Sequence, residues 1–272
     1  VPWPHYWKEI IHMQLHILAS GSTGNAIYFE FGGTKILVDA GISTRRIERG
    51  LAEIGVRAGE LDGILITHEH IDHIKGIDVM TRKYELPVYA RPATWTRISC
   101  RDKLPGKCVK YIEGVFSLGG VDIEPFNTSH DAVDPLGFCF HYQQQKWVLA
   151  TDLGVVTPEV AKALSRADGA VLEANHDPEM LSNGPYPQVL KQRIRSRHGH
   201  LSNYDTARVL AGIQRLETMQ VFLAHLSQQN NHPRLALQTV GEVLRRQGCD
   251  LCREVILHPT FPDRTVSFVN SK

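Results

Sequence analysis

The chain has 272 residues, 42% of them hydrophobic and 22% charged, enough apolar material for one large core or two modest ones, which excludes a disordered tail or a small stapled scaffold. Thirty Lys+Arg against 29 Asp+Glu leave a formal charge of +1, so any attraction to a polyanion must be local. Five cysteines are too few and odd in number for a secreted disulfide framework, no run approaches the roughly 18 apolar residues of a membrane span, and the first dozen residues lack a signal-peptide core; together these predict a soluble protein of the cytoplasm.

Residues 1–12 hold two prolines and two tryptophans and read as a leader or tag-like extension, leaving 13–272 as one domain. From there the chain alternates with strand period at 15–17, 26–31 and 34–39, with Gly32-Gly33 as a two-residue hairpin signal. Ser43 is placed to cap a helix through Ile47, Leu51 and Ile54 that Gly55 ends. The apolar run 64–66 then delivers Thr67 and His68. Further strands are predicted at 121–126, 137–142 and 147–151, the last two joined by Gln143-Gln144-Gln145. Helix starts at Thr157-Pro158, at Ser202-Asn203-Tyr204-Asp205 and at Pro233 (running to about Arg246) alternate with strands at 170–172 and 221–224. Strand clusters alternating with single helices predict an α/β (α+β) protein: two mixed sheets face to face with helices outside, a four-layer αββα sandwich.

Fourteen histidines are unusual, and three of them fall in Thr67-His68-Glu69-His70-Ile71-Asp72-His73, directly after a buried strand. Imidazole nitrogen and carboxylate oxygen suit zinc, manganese and iron, and a strand end fixes their geometry while a loop leaves coordination positions open. So dense a cluster repels itself once protonated, and a divalent cation is the natural reason to keep it neutral.

This segment resembles the signature of the metallo-β-lactamase superfamily, His-x-His-x-Asp-His after a strand. The other signature positions follow in order at strand ends: Asp39 in Leu37-Val38-Asp39-Ala40-Gly41, His130 in Thr128-Ser129-His130-Asp131, Asp152 in Ala150-Thr151-Asp152, and His225 in Leu223-Ala224-His225-Leu226. The resemblance implies two divalent ions per chain, zinc or manganese with iron as a further option. One would be held by His68, His70 and His130, the other by Asp72, His73 and His225, with Asp152 between them and Asp39 orienting a ligand histidine. It also implies a hydroxide nucleophile, with Asp72 or Asp152 taking up its proton. Cys249 and Cys252 form a CxxC without a second pair, and His16, His141, His198, His232 and His258 read as ordinary surface or core residues.

Four segments narrow the branch. Ser20-Gly21-Ser22-Thr23-Gly24-Asn25, Glu173-Ala174-Asn175-His176-Asp177, Gly199-His200-Leu201-Ser202-Asn203 and Leu226-Ser227-Gln228-Gln229-Asn230-Asn231 resemble the YycJ/WalJ type of exonuclease. Flavodiiron proteins carry a carboxylate where this chain has His70. Little chain follows His225 for the helical domain of glyoxalase II-type thioesterases, and too little separates Asp152 from His225 for the insertion of β-CASP nucleases. An exosite arm of the ribonuclease Z kind is not recognisable. The resemblance implies a dinuclear phosphodiesterase acting on DNA ends, a 5′ to 3′ exonuclease with a role in repair, in which His200 protonates the leaving oxygen. Substrate contacts are expected from Ser20, Ser22, Thr23 and Asn25, whose loop can offer N–H and hydroxyl groups to phosphate, and from Asn175, His176, Ser202 and Asn203. Lys191, Arg193, Arg195 and Arg197 supply four cations with no acid among them, so Arg193 and Arg195 are expected on the phosphates; Arg45, Arg46 and Arg49 form a weaker patch. A phosphodiesterase for small or cyclic substrates, and a metal-binding regulatory protein without turnover, stay open as alternatives.

Overall fold

The computed structural model describes residues 13–270, and the extension expected over 1–12 lies outside the described residues. Strands β1 (Met13–Ala19), β2 (Ala26–Phe31), β3 (Thr34–Val38), β4 (Gly63–Leu65), β5 (Val88–Ala90) and β6 (Val109–Tyr111) build the first sheet. Strands β7 (Phe116–Leu118), β8 (Val121–Asn127), β9 (Leu136–Tyr142), β10 (Gln145–Ala150), β11 (Gly169–Glu173), β12 (Met219–Ala224) and β13 (Val255–Pro259) build the second. The last strand, β14 (Val266–Asn270), returns to the first sheet and pairs antiparallel with β1. Helices are α1 (Thr44–Glu53), α2 (Ile71–Ile74), α3 (Ile77–Tyr84), α4 (Pro92–Arg97), α5 (Pro158–Leu164), α6 (Pro178–Asn183), α7 (Gln188–Ile194), α8 (Asn203–Gly212) and α9 (Pro233–Arg246). Among the described residues no helix is long and apolar enough to cross a membrane.

Local chemistry explains most of these boundaries. Gly32 and Gly33 turn β2 into β3 with φ of 56° and 94°, the paired left-handed conformation of a tight hairpin that only glycine adopts without strain. Thr157 caps α5 by accepting from Val160 N at 3.2 Å, and Ser202 with Asp205 forms a reciprocal capping box on α8. Ser43 stands in extended conformation before α1 as its position predicts, but its side chain makes no capping bond. His232, read from sequence as ordinary, caps α9 by accepting from Leu235 N at 3.1 Å.

The strand alternation does not separate a wet face from a dry one, because each sheet is covered on both sides. Ile27, Phe29, Ile36 and Val38 face the second sheet, while Ala26, Tyr28 and Leu37 face a separate core under α1, α3 and α4. The other sheet repeats the scheme, with Leu149 and Val171 inward and Val148, Ala170 and Leu172 against α5, α8 and α9. Phe29 meets Phe140 across the interface, ring centroids 4.7 Å apart, and each buried phenylalanine of this layer contributes about 1.5–3 kcal/mol. The four-layer αββα order is therefore present. Strands β5, β6 and β7, three residues each, carry too few residues for a period to show, and β14 finds its partner some 250 positions back along the chain, as the His16–Ser267 hydrogen bond with its separation of 251 illustrates.

Sheet direction places the site. β3 and β4 run parallel, as do β10, β11 and β12, and their carboxyl ends converge on one rim, where side chains of open parallel sheets characteristically gather around ligands.

Candidate metal centre

Three of the residues at this rim leave their strands in left-handed backbone conformation: Asp39 after β3 (φ 59°), Asp152 after β10 (φ 58°) and His225 after β12 (φ 55°). Such conformations cost a non-glycine residue about 1–3 kcal/mol and persist where the surroundings enforce them. At His225 the enforcement is visible, since its N–H donates to Ser20 Oγ at 2.8 Å and its carbonyl accepts from Asn175 Nδ2 at 2.8 Å. β4 delivers Thr67 and His68, β11 ends in Glu173, the β8–β9 connection carries His130, and α2 carries Asp72 and His73 with His70 at its cap. Gly41 permits the close approach of this last segment: a Cβ there would lie 1.6 Å from the Asp72 carbonyl oxygen.

The structure brings all seven ligand candidates together. His68, His70 and His130 offer ring nitrogens within 4.8 Å of one another, and so do Asp72, His73 and His225 with carboxylate and ring atoms. Asp152 reaches both groups, Oδ1 lying 3.6 Å from His130 Nε2 and Oδ2 3.4 Å from His73 Nε2. Four of the histidines have Nδ1 tied behind them: His68 to Thr67 Oγ1 (3.0 Å), His73 to Asp39 (2.7 Å), His130 to the Gly199 carbonyl (3.1 Å) and His225 to Glu173 (2.9 Å). That leaves each Nε2 facing the centre, the arrangement by which a second partner fixes a metal-binding imidazole. His70 presents Nδ1 instead, 3.0 Å from His68 Nε2. Asp39 also accepts from Thr67 N at 2.9 Å, so it holds His73 and the β4 end together. The fit to a cation is shown by what lacks a partner: Asp152 Oδ2 and His225 Nε2 are buried without any hydrogen bond, a cost that coordination would remove.

Electrostatics divides the imidazoles. Burial pulls His68 well below its ordinary value and lowers His130, leaving lone pairs free. Burial opposes charge on His225 too, but Asp152, Asp72 and Glu173 outweigh it and raise the group to about 10. His73, against Asp39 and Asp152, is likewise raised well above the ordinary value. In the metal-free chain at neutral pH these two rings are protonated, so loading a divalent cation must expel protons and apparent affinity must strengthen as pH rises towards 10. Calorimetric titration of the metal-free protein at pH 7 in two buffers of different ionisation enthalpy is expected to give different heats; equal heats would contradict this protonation state.

His200 donates from Nδ1 to Glu173 Oε1 at 2.8 Å and lines a recess of about 180 Å³ with His130, Ser22, Asn175, Arg193 and Ser227. Glu173 is fully buried. Its Oε2 accepts from the backbone N–H groups of Leu153 (2.8 Å) and Leu201 (3.1 Å), so one carboxylate links the Asp152 turn, the His200 loop and His225. Sequence reading passes over this residue's role, although its signal matches that of Asp39, Asp152 and His225: a polar side chain following the apolar end of a strand.

The residues expected to touch substrate divide in two. Ser22, Asn175 and Arg193 reach the recess, where Arg193 pairs with Asp131 beside His130. Thr23 lies exposed nearby, within 3.4 Å of Gln228 Nε2. The others, apart from the exposed Arg195, are turned inward. Ser20 and Asn25 are 1% exposed, the first holding His225 N and the second accepting from Gly21 N at 3.0 Å with its amide against His73. His176 is buried and pulled down to about 4 by that burial. Ser202 caps α8, and Asn203 bonds to Asn231. Of the basic run, Lys191 is buried with Nζ on the Ser182 carbonyl at 2.7 Å, and Arg195 turns to the Ser182 hydroxyl. Ser20, Asn25, Ser202 and Asn203 thus brace the site, because each polar group satisfies neighbouring backbone or side chains that burial would otherwise leave unpaired, whereas His176 Nδ1 is buried without a hydrogen bond and Arg195 is exposed.

Residues 34–226 match the family model of the beta-lactamase superfamily domain. Fold and donor clusters together define a metal-dependent hydrolase. The chain is 40% identical over 258 residues to the exodeoxyribonuclease YycJ of Bacillus anthracis, spanning 92% of this chain and 97% of that protein. It is 41% identical over 259 residues to the exodeoxyribonuclease WalJ of Streptococcus pneumoniae strain D39, spanning 93% and 96%. The crystal structure of zinc-bound PqqB from Methylobacterium extorquens shares the fold, with a TM-score of 0.68 at 14% identity over 93% of this chain and 99% of that one. The chain therefore belongs to the beta-lactamase superfamily and, within it, to the family of YycJ and WalJ.

Proposed function

We propose that the protein is a DNA exonuclease that shortens strands from the 5′ end, using two divalent cations, zinc or manganese. His68, His70 and His130 would hold one ion, Asp72, His73 and His225 the other, and Asp152 would stand between them. The observation that carries the reading is that Asp152 stands between two donor clusters beside the His200–Glu173 pair, with His130 and His200 lining one recess, in a chain aligned over nine-tenths of its length with two exodeoxyribonucleases. When bound, the cations supply Lewis-acid polarisation of the phosphate and lower the pKa of a water.

The side chains account for the rest of the hydrolysis. A water oxygen bonds to phosphorus, the bond to the 3′ oxygen of the end nucleotide breaks, and the products carry a 5′ phosphate and a 3′ hydroxyl. Asp152, held ionised despite its burial by His225, His73, His130 and His68, or Asp72, accepts the proton the water loses. His200, its Nδ1 engaged by Glu173, turns Nε2 to the departing oxygen and supplies the balancing proton. Ser22 and Asn175 offer neutral donors to phosphate, and Arg193 offers the recess a cation. The reading places the enzyme in the cytoplasm, in the processing of DNA ends during repair.

The test is digestion of 5′-labelled and 3′-labelled duplex with manganese or zinc, with elemental analysis of the active protein. Label released first from the 5′ end and two ions per chain are expected; one ion in the fully active enzyme refutes the paired centre. Salt supplies a second check. DNA binding is expected to weaken with a log–log slope of about −0.9 per phosphate contacted, and Arg193→Ala to flatten it by about 1 while sparing hydrolysis of bis-p-nitrophenyl phosphate. Binding insensitive to salt would favour the small-phosphodiester alternative.

A further inference from the structure

Away from the catalytic rim, the β8–β9 hairpin gathers a second set of ligand-type atoms. Glu124 pairs opposite Cys139, and His141 follows two residues on along β9. Residues two apart on a strand share a face, so all three stand on the outer side of the second sheet, where Cys139 joins the core under α5. A thiol, a ring nitrogen and a carboxylate oxygen lie there within 4.8 Å of one another. His141 Nε2 is 3.2 Å from Glu124 Oε2.

We propose that Glu124, Cys139 and His141 form a site for a borderline-soft divalent cation of the zinc class, separate from the catalytic centre, which staples the hairpin whose connecting loop carries His130. Mixed sulfur, nitrogen and oxygen donors select zinc-like ions over magnesium or calcium, which take oxygen alone. Tetrahedral coordination with bonds of about 2.0–2.3 Å sets ligand atoms about 3.3–3.8 Å apart. The histidine–glutamate pair is already that close, and water can take the fourth position. The rigid antiparallel ladder fixes the three Cβ positions, so no loop has to be ordered on binding. Lys146, in register with His141, does not neutralise the carboxylate, for its Nζ is held by the Ser165 and Lys162 carbonyls at 3.0 and 3.4 Å. Burial pushes the Cys139 thiol up to about 12; a bound cation displaces that proton, as it does at other thiol sites. An exposed histidine–glutamate pair alone would contribute little to stability and would ask nothing of Cys139, which gives the test its target.

Titration of the metal-free protein with cobalt(II) is expected to produce a thiolate-to-cobalt charge-transfer band, because the catalytic donors contain no sulfur. The band should be lost in C139S and in H141A and kept in H225A, and zinc stoichiometry should fall by one equivalent in each of the first two variants. His141 is only partly buried, so H141A tests the site even where C139S disturbs the core, with circular dichroism confirming the fold. A wild-type protein without the band, or a band that survives either substitution, overturns the proposal; the outcome is independent of whether the catalytic centre acts on DNA.

Discussion

His200→Ala is expected to lower turnover on DNA by about 10²–10⁴-fold, the usual worth of a general acid, with metal content unchanged. The geometry sets both halves of this expectation. His200 Nδ1 bonds to Glu173 and stands 3.8 Å from Asp152 Oδ1, near enough to the donors that a ligand role has to be separated from an acid role. The ring is partly exposed to the recess, whereas His130 and His225 are buried, which favours a group that meets substrate. A substrate with a good leaving group, such as bis-p-nitrophenyl phosphate, needs no proton on its departing oxygen, so the variant should retain most activity on it. An equal loss on both substrates would make His200 a positioning residue, and loss of an ion on elemental analysis would make it a ligand.

Glu173 is expected to show the largest combined effect on stability and metal binding. Its carboxylate accepts four hydrogen bonds in a fully buried site, and alanine would strand two backbone N–H groups and two imidazoles. Breaking a buried network of this kind costs about 3–5 kcal/mol, readable as a lower denaturation midpoint. Glu173→Gln separates the two functions. The amide oxygen can still serve Leu153 and Leu201, but the amide nitrogen must face the rings, which forces Nδ1 of His225 to accept and puts its proton on Nε2, where a metal would bind. Metal affinity should then fall about 10–100-fold with a smaller loss of stability than for alanine. Unchanged affinity in the glutamine variant would show that Glu173 does not set the tautomer. The histidines hold Glu173 at about 2 against burial, below an ordinary 4.5. Its stabilising contribution is therefore complete above pH 4.5 and is lost as pH falls towards 2.

The sequence by itself determined the layer order and pointed to the donor residues that the structure gathers at one rim. Period-2 runs at β1–β3 and β8–β10, the hairpin glycines and the capping residues of α5 and α8 are local signals, and local signals survive without knowledge of partners. The donor residues were legible for a related reason: His68, Asp152 and His225 follow the apolar ends of strands, where polar residues are conspicuous, and His70, Asp72 and His73 crowd in directly after His68. The tertiary structure alone decided which polar residues face the recess and which brace it. Ser20 and Ser22 are two residues apart in one loop, yet one holds the backbone of His225 and the other lines the cavity. Lys191 and Arg193 are two apart on α7, yet one is buried on a carbonyl and the other meets Asp131. Glu173 gains its importance from Leu153, His200, Leu201 and His225, which approach from three later or earlier segments. Hydrogen-bond satisfaction in a buried site depends on neighbours distant in the chain, so no spacing within the sequence could announce it.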